Sequence, residues 1–151
     1  MAPPALTVRF SPLGGIHAAI LDRIHAATLT IHVQAYELTA PRIIAALKSA
    51  KARGVAVSII VDASNTRRHS NLYSVLVPTG IPIAVDERHH IAHDKVLILD
   101  AFTVITGSAN FTNVAEYRNA ENIVIIDHLP TTALYTANWL RHFAHSTKLV
   151  A

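Results

Sequence analysis

The stretch Leu29–Val61, which reads LTIHVQAYELTAPRIIAALKSAKARGVAVSIIV, decides the fold class. Its first part, Leu29–Tyr36, is rich in β-branched residues and predicts a strand. Pro41 opens a helical pattern that stops at Gly54, since proline suits the first turn of a helix and glycine the residue after its end. Val55–Val61 is almost entirely apolar, which is typical of a strand covered on both faces. A strand, a helix and a second strand in this order predict two parallel strands joined by a right-handed crossover.

Apolar runs and helical patterns continue to alternate on both sides of this stretch. Further strands are predicted at Leu6–Phe10, Ile81–Val85, Val96–Leu99, Thr103–Thr106 and Asn122–Ile126, and further helices at about Ile16–Ala26, at about His69–Val77 and from Pro130 onward. The polar segment Ala63–Arg68 is interpreted as a loop at the carboxyl end of a central strand. The sequence therefore predicts one α/β domain spanning residues 1–151, with a mixed, mostly parallel sheet sandwiched between helices.

The composition excludes several classes of protein. Hydrophobic residues make up 51% of the chain and charged residues 15%, which is too apolar for a disordered chain. The sequence contains no uninterrupted run of about 20 apolar residues, so no transmembrane helix is expected. It also contains no cysteine, which excludes disulfides, thiolate zinc sites, iron–sulfur clusters and a cysteine nucleophile. The net charge of +3 mildly favours a polyanionic partner.

Two short groups of polar residues carry the chemistry. His93 and Lys95 are two residues apart on a predicted strand, so their side chains project from the same face. A histidine beside a fixed cation suits phosphate chemistry, because lysine neutralises a phosphoryl oxygen and histidine attacks or donates a proton near neutral pH. In the second group Gly107 permits close approach of the backbone, and Ser108 and Asn110 are able to donate hydrogen bonds to phosphate oxygens.

The spacing of these residues resembles the phospholipase D superfamily. His93, Lys95 and Asp100 match its HxK(x)4D motif, and the Gly-Ser-x-Asn group matches its GSxN element. Asp100 faces away from His93 by strand parity, so it is interpreted as a supporting turn residue rather than a catalyst. Nearly the whole chain is similar to the small bacterial endonucleases of that superfamily. Larger members carry two such motifs, whereas this sequence carries one.

The resemblance implies a phosphodiesterase without metal or cofactor, in which one histidine attacks phosphorus to give a phosphohistidine and a second protonates the leaving oxygen. Because one motif supplies one histidine, the resemblance also implies a homodimer with the active site across its interface. His93 is then the nucleophile in one subunit and the general acid in the other. Lys95 and Asn110 hold phosphate oxygens, Ser108 assists, and Glu121 orients His93 through its second ring nitrogen.

Other polar residues have more than one interpretation. Arg67 and Arg68 follow a central strand and are candidate phosphate contacts, although a solvated loop is the ordinary alternative. His90 is interpreted as a rim residue that touches substrate, and Tyr36 as a wall of the site or part of the core. His89, His90, His93 and Asp94 suggest a metal site as an alternative. Against it, His90 and His93 have no helical context for joint ligation, and Lys95 would repel a cation.

The leading functional hypothesis is a nuclease that cuts DNA, and RNA as a further substrate, with little sequence preference. A phospholipase or phosphatidyl transferase is the competing enzyme, but the sequence shows no amphipathic membrane-binding helix. A non-catalytic nucleic-acid-binding module is the third alternative, and it gives no reason for histidine in the motif. No basic segment followed by an apolar stretch precedes the first strand, so we expect no signal peptide in this sequence. The family resemblance nevertheless favours a periplasmic or secreted protein.

Overall fold

The computed structural model of the protein describes residues 3–68, 73 and 75–149. The strands are β1 (Ala5–Phe10), β2 (Thr30–Ala35), β3 (Ala56–Asp62), β4 (Ile83–Asp86), β5 (Lys95–Leu99), β6 (Thr103–Gly107), β7 (Asn122–Asp127) and β8 (Thr147–Leu149). The helices are α1 (Ile16–Ala26), α2 (Pro41–Ala52), α3 (Ala63–Arg68), α4 (Asn113–Tyr117) and α5 (Leu129–His145), with a 3-10 turn at Val77–Thr79. Strands and helices alternate along the chain, which confirms the α/β class.

The strands form one eight-stranded sheet in the order β1-β7-β6-β5-β2-β3-β4-β8. β2 pairs with β3 and β3 with β4 in parallel, as expected for strands joined by crossovers. The other five pairings are antiparallel. The prediction of a mixed sheet is confirmed, but the prediction that it is mostly parallel is wrong. The β5–β6 hairpin reverses the chain direction, and both edge strands, β1 and β8, join in antiparallel pairs.

Helices cover both faces of the sheet, as predicted. On one face α1 and α2 contribute Ile20 and Leu47, which are almost completely buried. On the other face α5 places Trp139 in a second buried cluster that includes Ile60 of β3. The indole Nε1 of Trp139 donates a 2.9 Å hydrogen bond to the carbonyl oxygen of Val33, so this polar atom is satisfied inside the core. Among the described residues, no helix is both long enough and apolar enough to cross a membrane.

Three local predictions differ from the structure or lie outside the described residues. Ala63–Arg68 is not a loop but the short helix α3. Its start is stabilised by Asp62, whose Oδ1 accepts a 2.9 Å hydrogen bond from the Ser64 backbone N–H in the manner of a helix cap. The predicted helix His69–Val77 lies largely outside the described residues. The final helix begins one residue before the predicted Pro130.

Candidate active site

The two halves of the sequence motif meet at one end of the sheet. Lys95 at the start of β5 pairs with Ala35 at the end of β2. β5 and β6 form an antiparallel hairpin, so the end of β6 at Gly107 lies beside the start of β5. Gly107 in turn pairs with Ile123 near the start of β7. The predicted site residues brought to this end are Tyr36, His93, Lys95, Ser108, Asn110 and Glu121.

Lys95 places a buried positive charge at this end. The residue is only 7% exposed, and its Nζ donates a 2.6 Å hydrogen bond to the carbonyl oxygen of His93. The same Nζ lies 5.0 Å from the centre of the Tyr36 ring. Burial lowers the pKa of Lys95, and nearby carboxylates, including those of Asp94 and Glu121, only partly offset this. An ammonium carries three N–H donors, so a buried one offers a bound anion both charge and hydrogen bonds.

His93 lies beside Lys95 but is exposed at the surface. Its ring centre is 4.7 Å from that of Tyr36, with 52° between the ring planes. The sequence predicts that His93 lies on a strand. In the structure His93 precedes β5, which begins at Lys95. The backbone pairing nevertheless continues past the strand, since the Tyr36 N–H donates a 2.9 Å hydrogen bond to the Asp94 carbonyl. Tyr36 therefore contacts both motif side chains and forms a wall of the site, which is one of its two predicted roles.

The segment after β6 supplies a hydroxyl and an amide with different environments. Gly107 is required by close packing, because a Cβ there would lie 2.2 Å from the carbonyl oxygen of Asn122. The Oγ of Ser108 donates a 2.6 Å hydrogen bond to Glu121 and accepts one of 3.0 Å from the Asn122 N–H. By contrast, the Oδ1 of Asn110 is buried and has no hydrogen-bond partner among the described residues. Ser108 is thus held by its neighbours, whereas the buried Asn110 amide oxygen is left without a partner in the part of the chain that the structure describes.

Glu121 is engaged by other side chains within the chain, and its orienting contact with His93 stays a prediction. Its two carboxylate oxygens accept hydrogen bonds from the Ser108 Oγ at 2.6 Å and the Asn119 Nδ2 at 2.9 Å. Over the described ranges, no hydrogen bond joins Glu121 to His93; its carboxylate is held by Ser108, which follows β6, and by Asn119, which lies in the turn before β7. Within one chain, Glu121 therefore positions Ser108 and favours the charged form of Lys95.

Asp100, the last residue of the HxK(x)4D motif, lies at the far end of β5 from His93. Its carboxylate accepts hydrogen bonds of 2.8–2.9 Å from the backbone N–H groups of Thr28, Leu29 and Thr30. Burial raises the pKa of Asp100, but these hydrogen bonds outweigh that effect and hold it below the ordinary value. Asp100 thus fastens the start of β2 to the β5–β6 turn, in agreement with the supporting role that its parity indicates.

The remaining candidates are exposed side chains near the same end. Arg67 and Arg68 end α3, which begins where β3 stops, and β3 runs parallel to β2. His90 lies in the connection between β4 and β5, three residues before His93. All three are exposed. No ring contact or hydrogen bond joins them to His93 in the part of the chain that the structure describes, so they are candidates for contact with a large substrate only.

Sequence reasoning missed a second group of polar side chains. Asp86 at the end of β4 is completely buried, and the rings of His89, His142 and His145 surround its carboxylate. The spacing of two histidines three residues apart in the last turn of α5 is the one local signal for this group, because it places both rings on one helix face. Their meeting with Asp86 depends on how α5 packs against the sheet, which the local sequence pattern does not give.

Most of the chain is similar to known proteins. Residues 20–143 match the family described as cardiolipin synthase, PLD-like domain. A phospholipase D from Rickettsia bellii is 39% identical over 137 residues, which cover 91% of this chain and 68% of that protein. The fold also matches Nuc, a phospholipase D family member from Salmonella typhimurium, with a TM-score of 0.93 and 34% identity over 99% of this chain and 100% of the other. NucT from Helicobacter pylori shares the fold, with a TM-score of 0.86 at 19% identity over 97% of this chain and 100% of that one.

Proposed function

This chain belongs to the phospholipase D superfamily and is a phosphodiester hydrolase, and from that premise we propose that it is a nuclease. It cleaves DNA, and RNA as a further substrate, with little sequence preference. The observation that carries the proposal is the grouping of an exposed His93 and a buried Lys95 with Asn110, whose buried amide oxygen has no hydrogen-bond partner among the described residues, at one end of the sheet. These three groups offer a nucleophile, a fixed positive charge and a hydrogen-bond donor, which are what phosphodiester cleavage requires.

The proposed reaction has two displacements at phosphorus. In the first, the neutral imidazole of His93 forms a bond to phosphorus while the bond to the leaving oxygen breaks. A second, protonated histidine gives its proton to that oxygen, so the product leaves as a neutral hydroxyl. In the second, water attacks the phosphohistidine, the second histidine takes a proton from that water, and the nitrogen–phosphorus bond breaks. Lys95 and Asn110 stabilise the negative charge on the phosphoryl oxygens in both steps.

The second histidine is proposed to be His93 of the partner subunit. A single motif supplies one such histidine per chain, and a twofold axis through the phosphate brings two identical copies to the same atom. Exposed apolar side chains in the segments next to the motif support an interface here: Ile91, Val114 and Tyr117 are 48%, 52% and 52% exposed. Light scattering should give a mass near twice 16.4 kDa. A monomer that is active at the assay concentration would contradict the shared site.

The proposed reaction needs no metal ion, because the side chains of two subunits take over the Lewis-acid role. A dimer brings two Lys95 ammonium groups and two Asn110 amides to one phosphate. The buried ammonium also repels a cation from the position of the phosphate. In this proposal Lys95 has two effects: it binds the phosphate of the substrate, and it makes a metal ion at the same position unnecessary and unfavourable.

Nucleic acid is the proposed substrate because basic side chains accompany the site. Arg67 and Arg68 are exposed at the end of α3, and the chain carries a net charge of +3. Contacts from such side chains to successive phosphates supply most of the affinity of non-specific nucleic-acid binding. The resemblance to small single-motif endonucleases supports the same substrate.

Supercoiled plasmid and phosphatidylcholine vesicles, assayed side by side, test the proposed substrate. We expect wild-type protein to nick the plasmid and to release no headgroup from the vesicles. Headgroup release without nicking would instead identify a phospholipase. The matched variant His93→Ala should bind DNA without cutting it, and rapid denaturation of the wild type during turnover should leave a nucleotide phosphate attached to His93. A variant that still cuts would exclude His93 as the nucleophile.

A further inference from the structure

Asp86, His89, His142 and His145 form a group that we call the aspartate–histidine cluster, and the proposed nuclease reaction does not use it. We propose that this cluster is a structural zinc site, in which three imidazole nitrogens and one carboxylate oxygen hold a divalent ion. Such a site would stabilise the fold and the segment that leads to His93. The zinc proposal therefore does not depend on the proposed nuclease function.

The spacing of the ligand atoms is close to that of a tetrahedral zinc centre. Asp86 Oδ2 lies 2.9 Å from His89 Nδ1, 2.9 Å from His142 Nδ1 and 3.3 Å from His145 Nε2. With zinc–ligand bonds of about 2.0–2.1 Å, ligand atoms of a tetrahedron are about 3.3–3.4 Å apart. All four ligand atoms lie within 4.8 Å of one another, so modest side-chain rotations close the cage around an ion.

A buried anion and an unpartnered nitrogen lie side by side in the cluster. The carboxylate of Asp86 is completely buried, and its Oδ2 is in hydrogen-bond contact with the Nδ1 atoms of His89 and His142, each at 2.9 Å; a divalent ion would replace these two contacts with metal–ligand bonds and supply the positive charge that a buried anion requires. The Nε2 of His145 is buried, points toward this carboxylate and makes no hydrogen bond within the described residues. A metal ion between the two would satisfy the nitrogen lone pair and the carboxylate charge together.

The carboxylate is already oriented by the backbone around it. Asp86 Oδ1 accepts hydrogen bonds from the N–H groups of Arg88 at 3.1 Å and His89 at 3.4 Å. These bonds leave Oδ2 as the oxygen that faces all three histidines. Fixed outer contacts of this kind hold a metal ligand in one orientation before the ion arrives.

The donor set favours zinc over a hard cation or an anion. Three imidazoles and one carboxylate suit zinc, whereas magnesium and calcium prefer oxygen ligands. Arg88 and Arg141 line the surface pocket above the cluster and would attract an anion to its mouth. The histidine nitrogens, however, are directed at the Asp86 carboxylate below. The inner position therefore suits a cation, and the His89 side chain, which is 45% exposed, leaves an entry path.

A metal ion at this position would connect three parts of the fold. Asp86 ends β4, His89 lies in the segment that leads to His93, and the other two histidines are in the last turn of α5. The same segment is held at a second point, where the Ala92 N–H donates a 2.9 Å hydrogen bond to Asp62 Oδ2. Zinc would therefore hold the segment that leads to His93 at His89, in addition to the hydrogen bond that holds it at Ala92.

The test is a zinc titration of tag-free protein after chelation and removal of the chelator. We expect one zinc ion bound per chain, no binding of magnesium, and a melting temperature about 5–10 °C higher at a hundredfold excess over Kd. Asp86→Asn and His145→Gln should each weaken zinc binding by about 100-fold or more. His25→Gln, which changes an exposed histidine of α1, is the matched control and should bind zinc as the wild type does.

Three results would overturn the site. One is the absence of stoichiometric zinc binding by the wild type. Another is equal zinc affinity in wild type and both cluster variants, since this would mean adventitious binding to surface histidines. A third is a loss in His25→Gln as large as in the cluster variants. Circular dichroism checks that both cluster variants are folded, and His145→Gln serves alone if Asp86→Asn is not. Plasmid nicking is not a readout here, so failure of the zinc site and failure of the nuclease assignment are separate outcomes.

Discussion

Two histidine-bearing regions lie at the same end of the sheet, and they are built around opposite charges. At the start of β5, exposed His93 lies beside Lys95, a cation that is 7% exposed. At the end of β4, the three rings of the aspartate–histidine cluster turn their nitrogens toward Asp86, a completely buried anion. A buried charge requires a partner of opposite sign. The first region therefore suits an anionic phosphate and the second a metal cation, although both present the same imidazole.

The largest effect is expected from removing His93, the proposed nucleophile of the first region. His93→Asn should lower kcat for plasmid nicking by about 10⁴-fold or more, because the covalent step is lost. DNA affinity, measured by fluorescence anisotropy, should change only slightly, since Lys95 and Asn110 still hold the phosphate. His25→Asn is the control and should keep full activity. A His93→Asn protein that keeps a tenth of wild-type kcat would show that His93 is not the nucleophile. The first region would then have no demonstrated catalytic role that separates it from the second.

A smaller loss is expected from neutralising the charge around which the first region is built. Lys95→Gln should lower kcat/KM by about 10²–10³-fold, because a preorganised charge that stabilises the phosphoryl oxygens is lost. Lys51→Gln, on α2, is the matched control and should behave like the wild type. Single-turnover nicking assays at fixed ionic strength make the comparison. Equal losses in the two lysine variants would show that the effect is one of overall charge and not of this site.

The first region is predictable from the sequence because its parts are local. His93 and Lys95 are two residues apart, and the Gly107-containing group follows after one hairpin. A hairpin brings such groups to one end of a sheet, so their proximity can be predicted without information on long-range packing. The orientation of Glu121 is different, because it depends on hydrogen bonds to Ser108 and Asn119. Spacing in the sequence alone does not reveal these bonds.

The second region depends on long-range packing, and the sequence does not reveal it. Asp86 and His142 are 56 residues apart and meet only because α5 crosses the face of the sheet opposite α1 and α2. The directions of most strands could not be predicted from the sequence for the same reason. The parallel β2–α2–β3 unit is visible in the sequence, but the antiparallel pairing of β1 with β7 joins the two halves of the chain.

The smallest effect is expected from Asp100, which belongs to the sequence motif but lies away from both regions. Asp100→Asn should leave kcat within about twofold and lower the free energy of unfolding by about 1–3 kcal/mol at pH 7, because hydrogen bonds to a charged acceptor are weakened. The folded-state pKa of Asp100 is below its ordinary value, so its ionised form stabilises the fold above about pH 4, and this contribution is lost as the pH falls toward the folded-state value. The urea-unfolding free energies of the two proteins should therefore differ more at pH 7 than at pH 3. A difference that does not shrink between these two pH values would contradict the role of the charge.

Nicking of supercoiled plasmid in excess EDTA tests most directly whether the first region works through its own charges. The assay is run at 25 °C, well below unfolding, and the chelator is present before the substrate is added. Because Lys95 and Asn110 replace the Lewis acid, we expect the nicking rate to be undiminished by EDTA, even though chelation removes any zinc from the aspartate–histidine cluster and lowers the melting temperature. Loss of nicking in EDTA that magnesium restores would contradict the two-histidine mechanism and assign the reaction to a metal-bound water.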